Sequence, residues 1–165
     1  MTTIISLIGE QNLPNLLPIL HLNPAQIILV YSDFTKETAH RLTKLVHSKI
    51  KADVIQLVVD AYNIDQTKSC ILSAARPLLP TDILVISPAA PKWWVWQPTR
   101  RLSNWAHLFF YVQSQGKKTI LYRYVPGNGS YPLQQVEEIP PLITIADYFD
   151  VYLKDYVIVG IVNSS

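Results

Sequence analysis

Five stretches of the chain are short, rich in β-branched residues and bounded by turn signals: "IISLI" (4–8), "QIILVY" (26–31), "DVIQLVV" (53–59), "DILVIS" (82–87) and "KTILYRYV" (118–125). Their apolar positions run on instead of alternating strictly, the pattern of strands covered on both faces. The segments between them have helical spacing. In "TKETAHRLTKLVHSKI" (35–50), Ala39, Leu42, Leu45, Val46 and Ile50 fall on one face, and Lys36, Glu37, Arg41 and Lys44 keep mainly to the others. Asp33 or Thr35 can cap its start. Residues 65–75 and 99–114 read as two further helices, the second stopped by Gly116 with Lys117 and Lys118 behind it. An earlier helix follows the first strand, with Asn15 as its N-cap and Pro18 in its first turn.

Strands alternating with helices predict an α/β, Rossmann-like fold: a mainly parallel sheet of about five strands with helices on both faces. Past Val125 the rhythm changes. "PGNGSYP" (126–132) is a turn cluster that joins a hairpin whose return strand is "LQQVEEI". Thr144 then caps a short helix that places Ile145, Tyr148, Phe149 and Tyr152 at helical spacing, and "YVIVGIV" (156–162) reads as a closing strand. The expected organisation is one domain, 1–165, with a core over 1–125 and a C-terminal hairpin/helix extension over 126–165.

Composition narrows the function classes. Of the 165 residues 49% are hydrophobic and 16% charged, a balance that suits a packed core. A formal charge of +2 gives no basic stripe of the kind that binds duplex nucleic acid. One cysteine, Cys70, excludes an internal disulfide and a cysteine-based zinc site. The four histidines, His21, His40, His47 and His107, lack metal-ligand spacing, so no metal and no cofactor are expected. The start lacks the pattern of a signal peptide, and every apolar run falls well short of the ~18 residues of a membrane span. A cytoplasmic protein without a membrane segment is the expectation.

Ligands of open α/β sheets bind outside the carboxyl ends of the strands, which selects Gly9–Asn15, Ser32–Thr35, Asp60–Asn63, Ser87–Pro98 and Val125–Ser130. Neither a dinucleotide fingerprint nor a P-loop occurs, and Ser87 precedes a proline, so it is no hydrolase elbow. The first segment offers Glu10, Gln11 and Asn12 ahead of a helix start, where backbone donors and the helix dipole favour phosphate. By pattern alone it is also a plain polar turn with a cap. In "SPAAPKWWVWQPTRRLSNW" (87–105), Lys92, Arg100 and Arg101 stand among Trp93, Trp94 and Trp96. Cations neutralise phosphates and indole rings stack on bases, so the mixture suits a small nucleotide; packing against the sheet or a partner explains the tryptophans equally. Asp33 and Asp60 can act as acids, bases or caps.

Taken together, "LIGEQNLPNLLPILHL" (7–22), "IILVYSDFT" (27–35), the Lys92 loop and "PPLITIADYFDVYL" (140–153) resemble a CARF domain. This is the cyclic-oligoadenylate sensor of type III CRISPR antiviral defence, and the likeness is to the sensor half of its nuclease effectors. Relatives of this kind carry a Gly-Gly-Thr-Lys-like turn after the fourth strand; "SPAAPKWW" keeps the lysine and replaces the glycines by proline and alanine.

The resemblance implies a C2 homodimer holding a ring of four or six adenylates, cyclic tetra-adenylate first, across its twofold axis. Gly9, Glu10, Gln11, Asn12 and Asn15 would hold it from one side; Ser87, Ala89, Ala90 and Lys92 would approach from the fourth strand, joined by Trp93 and Arg100. A fused or partner effector would receive the signal. The alternative is a stand-alone ring nuclease. Metal-independent attack of a 2′-hydroxyl on the adjacent phosphate would leave a 2′,3′-cyclic phosphate, with Lys92 as the cation and Ser87 or Gln11 orienting. A third reading is an ordinary nucleotide or metabolite binder. Alanine at Glu10, Gln11 and Asn12 should weaken ring binding and leave the fold intact.

Overall fold

The computed structural model describes residues 2–78, 82–87, 108–115, 118–125 and 132–153. Seven strands form one sheet: β1 (Thr2–Leu7), β2 (Gln26–Tyr31), β3 (Asp53–Val58), β4 (Asp82–Ser87), β5 (Leu108–Gln115), β6 (Lys118–Tyr124) and β7 (Leu133–Ile139), in the order β3-β2-β1-β4-β5-β6-β7. The first five are parallel and the last two pair antiparallel. The helices are α1 (Leu13–Leu22), α2 (Lys36–Lys49), α3 (Ile64–Ala75) and α4 (Ile145–Tyr152).

The central strands are buried on both sides, as their run-on apolar sequences require. Ile4, Ile27, Leu29, Leu84 and Ile86 face α1, α2 and α4 in one core layer. Ile5, Ile28, Val30, Ile83 and Val85 face the other way, against Ile71 and Ala75 of α3. The α/β, Rossmann-like architecture with helices on both faces is therefore the one observed. The expected hairpin is also present: β6 pairs β7 antiparallel, and His21 of α1 meets Glu137 of β7 at 2.8 Å.

Three expectations change. The sheet has seven strands, more than the five read from the pattern, because β5 and β7 extend it. Residues 108–115, read as the end of a helix over 99–114, form β5; the rest of that helix lies outside the described residues. Phe110 and Val112 are both 4% exposed and two positions apart, a strand period that a helix would have turned to different faces. Gly116, read as a helix stop, lies outside the described residues. The start of α1 also moves: it begins at Leu13, with Asn12 before it and Pro14 in its first turn. Asn15 is inside the helix and fully buried, and Pro18 is interior too, where its missing N–H forgoes one helix bond. Burial of Leu16, Leu17 and Ile19 offsets that loss. The helix ends on Asn23, the one positive-φ non-glycine of the described residues (φ 44°), which Asn tolerates better than most. The closing strand expected over 156–162 lies outside the described residues.

Candidate ligand-binding site

The chain runs outward from β1 to β2 and β3, then returns to place β4 and β5 on the other side of β1. A reversal of strand order is where open α/β sheets take ligands, which points to the space above the carboxyl ends of β1 and β4. The β1–α1 connection, residues 8–12, forms one wall. Its first residue is fixed to the sheet, since the Ile8 N–H donates to the Val30 carbonyl at 2.8 Å.

Beyond Ile8 the loop divides sharply. Glu10 and Gln11 are exposed and Gly9 is half-buried. The N–H groups of Gly9, Glu10 and Gln11 donate to no partner among the described residues, so three successive backbone donors remain for a ligand. Asn12 and Asn15 turn inward, at 2% and 0% exposure. Asn12 Nδ2 donates to the carbonyl of Val151 at 3.1 Å. Asn15 Oδ1 accepts from Ser6 Oγ at 3.0 Å, and its Nδ2 donates to the Gln11 carbonyl at 3.3 Å. These two asparagines shape the loop from beneath.

The start of α1 offers little to an anion. The Leu13 N–H donates to the Tyr152 hydroxyl at 3.4 Å, Pro14 has no N–H, and the N–H groups of Asn15 and Leu16 both go to the Asn12 carbonyl. The expectation of a phosphate at this helix N-terminus is therefore corrected: its donors are consumed within the protein, and the free ones precede the helix.

On the facing side, Ser87 is the last residue of β4, in register with Tyr111 of β5. Ala89, Ala90, Lys92, Trp93 and Arg100 lie outside the described residues, as do Trp94, Trp96 and Arg101. Of the expected set, the structure thus gathers Gly9, Glu10 and Gln11 on one open wall and assigns Asn12 and Asn15 to its support. Among the described residues no group of three or more His, Cys, Asp or Glu side chains is placed to hold a metal ion, and no helix is long and apolar enough to cross a membrane.

A second concavity lies at the ends of β2 and β3, between two of the segments that the strand-end rule selects, Ser32–Thr35 and Asp60–Asn63. Residues 32–34 and 58–62, together with Gln66, line an open cavity of about 550 Å³. Asp60, expected to act as acid, base or cap, does not cap α3, whose N-cap is Asn63; its Oδ1 accepts the Tyr62 N–H at 2.9 Å and closes the turn before the helix. The available signal was two aromatic residues, Phe34 and Tyr62, standing beside acidic turn residues where a connector needs no ring.

No family model and no curated protein matches the chain. Solved structures do. Can2 from Sulfobacillus thermosulfidooxidans, in complex with cyclic tetra-adenylate, aligns with a TM-score of 0.70 at 22% identity, over 92% of this chain and 41% of that one. Protein VC1899 from Vibrio cholerae aligns with a TM-score of 0.72 at 17% identity, over 91% of this chain and 39% of that one. The chain thus spans about two fifths of the length of either. At these identities the likeness is one of fold, and it is the fold that the CARF resemblance implied.

Proposed function

We propose that this chain binds cyclic oligoadenylate, with cyclic tetra-adenylate as the first candidate, as the sensor part of a type III CRISPR antiviral protein. The observation that carries the reading is the likeness to Can2, a structure holding that messenger, over 92% of the chain. The local geometry supports it. Three N–H groups without a partner among the described residues, at Gly9, Glu10 and Gln11, lie where the strand order reverses, and they suit the phosphates of a small anionic ligand. In this reading a C2 homodimer presents the loop twice to a symmetric ring, and Lys92 with Arg100 supplies charge from the loop after β4. A fused or partner effector reads the dimer arrangement that the ring favours. The domain 1–165 is one unit with a C-terminal extension, and it works in the cytoplasm.

Incubation with labelled cyclic tetra- and hexa-adenylate, followed by chromatography, tests this. Intact ring travelling with the protein is the expected result. Linear products ending in a 2′,3′-cyclic phosphate, lost in Lys92→Ala, would assign ring cleavage to the chain instead. No retention and no turnover of either ring overturns the reading.

A further inference from the structure

Nine large apolar side chains of the described residues are exposed, and four of them, Phe34, Val58, Tyr62 and Ile64, gather where β2 and β3 end. Phe34 is 82% exposed and Tyr62 97%. Rings left in water contribute little to folding, so a pair at one edge calls for an occupant. Both line the cavity of about 550 Å³, inside the ~300–1,000 Å³ range of small-molecule sites. Neither ring stacks on another among the described residues, which leaves the faces of both free.

The rings are held in place by their backbones. Phe34 sits in a tight turn closed by the Thr35 N–H on the Ser32 carbonyl (3.0 Å) and by the Ser32 N–H on Thr35 Oγ1 (3.1 Å). Tyr62 follows Asp60, whose side chain takes the Tyr62 N–H and whose carbonyl takes both the Asn63 N–H and Thr67 Oγ1, at 2.9 to 3.0 Å. Two turns locked in this way fix the backbone that carries the rings, so binding has only the side chains themselves to order.

The rest of the lining decides the ligand class. Ser32, Asp33, Asp60 and Gln66 supply donors and acceptors, and among the described residues the lining contains no lysine or arginine. Two carboxylates without a cation repel phosphate, while stacking faces with hydrogen-bonding groups at their rim suit an uncharged heterocycle bearing amino groups. The cavity lies on the β1–α1 loop's side of the sheet end: β2, whose carboxyl end leads into its lining, is the neighbour of β1, and Val30 of β2 holds Ile8. We infer that this cavity is a nucleobase subsite in which Phe34 and Tyr62 stack an adenine while its phosphates turn toward Gly9–Gln11. The inference rests on the proposed function and names where the base goes.

Photolabelling with 8-azidoadenosine, which carries no phosphate, tests the subsite separately from the ring. Label is expected in the peptides containing Phe34 or Tyr62, reduced at least fivefold in Phe34→Ala and Tyr62→Ala and unchanged in Lys51→Ala, an exposed position outside both sites. Affinity for cyclic tetra-adenylate should fall about tenfold in Tyr62→Ala, the order expected for losing one stacked base. Both side chains are exposed, so thermal melting of the variants should match the parent. Label confined elsewhere, with ring affinity unchanged in both variants, overturns the subsite and leaves ring binding standing. Label in the cavity without any binding of the ring supports the subsite and overturns the proposed function.

Discussion

Asn12 is an exposed-looking residue in a polar loop that the fold turns into a support. Its amide donates to Val151, 139 residues later in the chain, and its buried Oδ1 has no partner among the described residues. The same carbonyl of Val151 accepts from Arg41 Nε at 2.9 Å, so one acceptor ties the loop, α2 and α4 together. Asn12→Ala removes a buried bond and should cost about 1–2 kcal/mol, read as a lower urea midpoint with an unchanged slope. Gln11→Ala, at an exposed position, should leave that midpoint within about 0.5 kcal/mol of the parent. The triple replacement of Glu10, Gln11 and Asn12 therefore cannot separate binding from folding; only the first two are clean probes. Nothing local in "GEQNLPN" distinguishes Asn12 from Gln11, since what buries one and not the other is α4, built from the far end of the sequence.

The elements were legible where packing and propensity agreed. Ile27 to Val30 are buried on both faces and could be little else than a central strand. The turn cluster at 126–132 between "KTILYRYV" and "LQQVEEI" announced the hairpin. β5 was hidden because "LFFYVQSQ" ends in polar residues before a glycine, the local grammar of a helix terminus; its inward Phe110 and Val112 show their period only once β4 and β6 flank it. Helix α4 starts on a capping box: Asp147 Oδ2 accepts from the Thr144 N–H at 2.7 Å and from Thr144 Oγ1 at 2.9 Å, and Thr144 Oγ1 accepts the Asp147 N–H at 3.2 Å. Lys49 of α2 adds an ion pair to the same oxygen at 2.8 Å. Burial pushes the Asp147 carboxyl upward, but the Lys49 ammonium and the Thr144 donors outweigh it and hold the group below its ordinary 3.8. A lowered native pKa makes this contribution complete above that value and removes it as pH falls through the lower one. Asp147→Asn should therefore narrow the stability gap to the parent as pH drops below about 4, and Thr144→Ala should cost about 1 kcal/mol at neutral pH, both measurable by chemical unfolding.

At the scale of the whole molecule, the parallel half of the sheet sets the crevice and the antiparallel half braces it. α1 packs over β4 and β5, and its His21 reaches Glu137 on β7. A ligand that binds the native state alone, at a hundred times its Kd, adds about 2.7 kcal/mol. For a chain of this size that raises Tm by about 5–10 °C, so cyclic tetra-adenylate should shift the melting curve and linear tetra-adenylate should shift it less. The bond from Asn12 to Val151 also bears on biosynthesis. A nascent chain emerging N-terminus first would assemble all five parallel strands before the residue that completes the loop next to β1 had been made. A polypeptide truncated after β7 would carry the crevice with one wall unbraced. Competence to bind would thus arrive late in translation, with the turn of α4 that bears Val151, and partial products would stay silent.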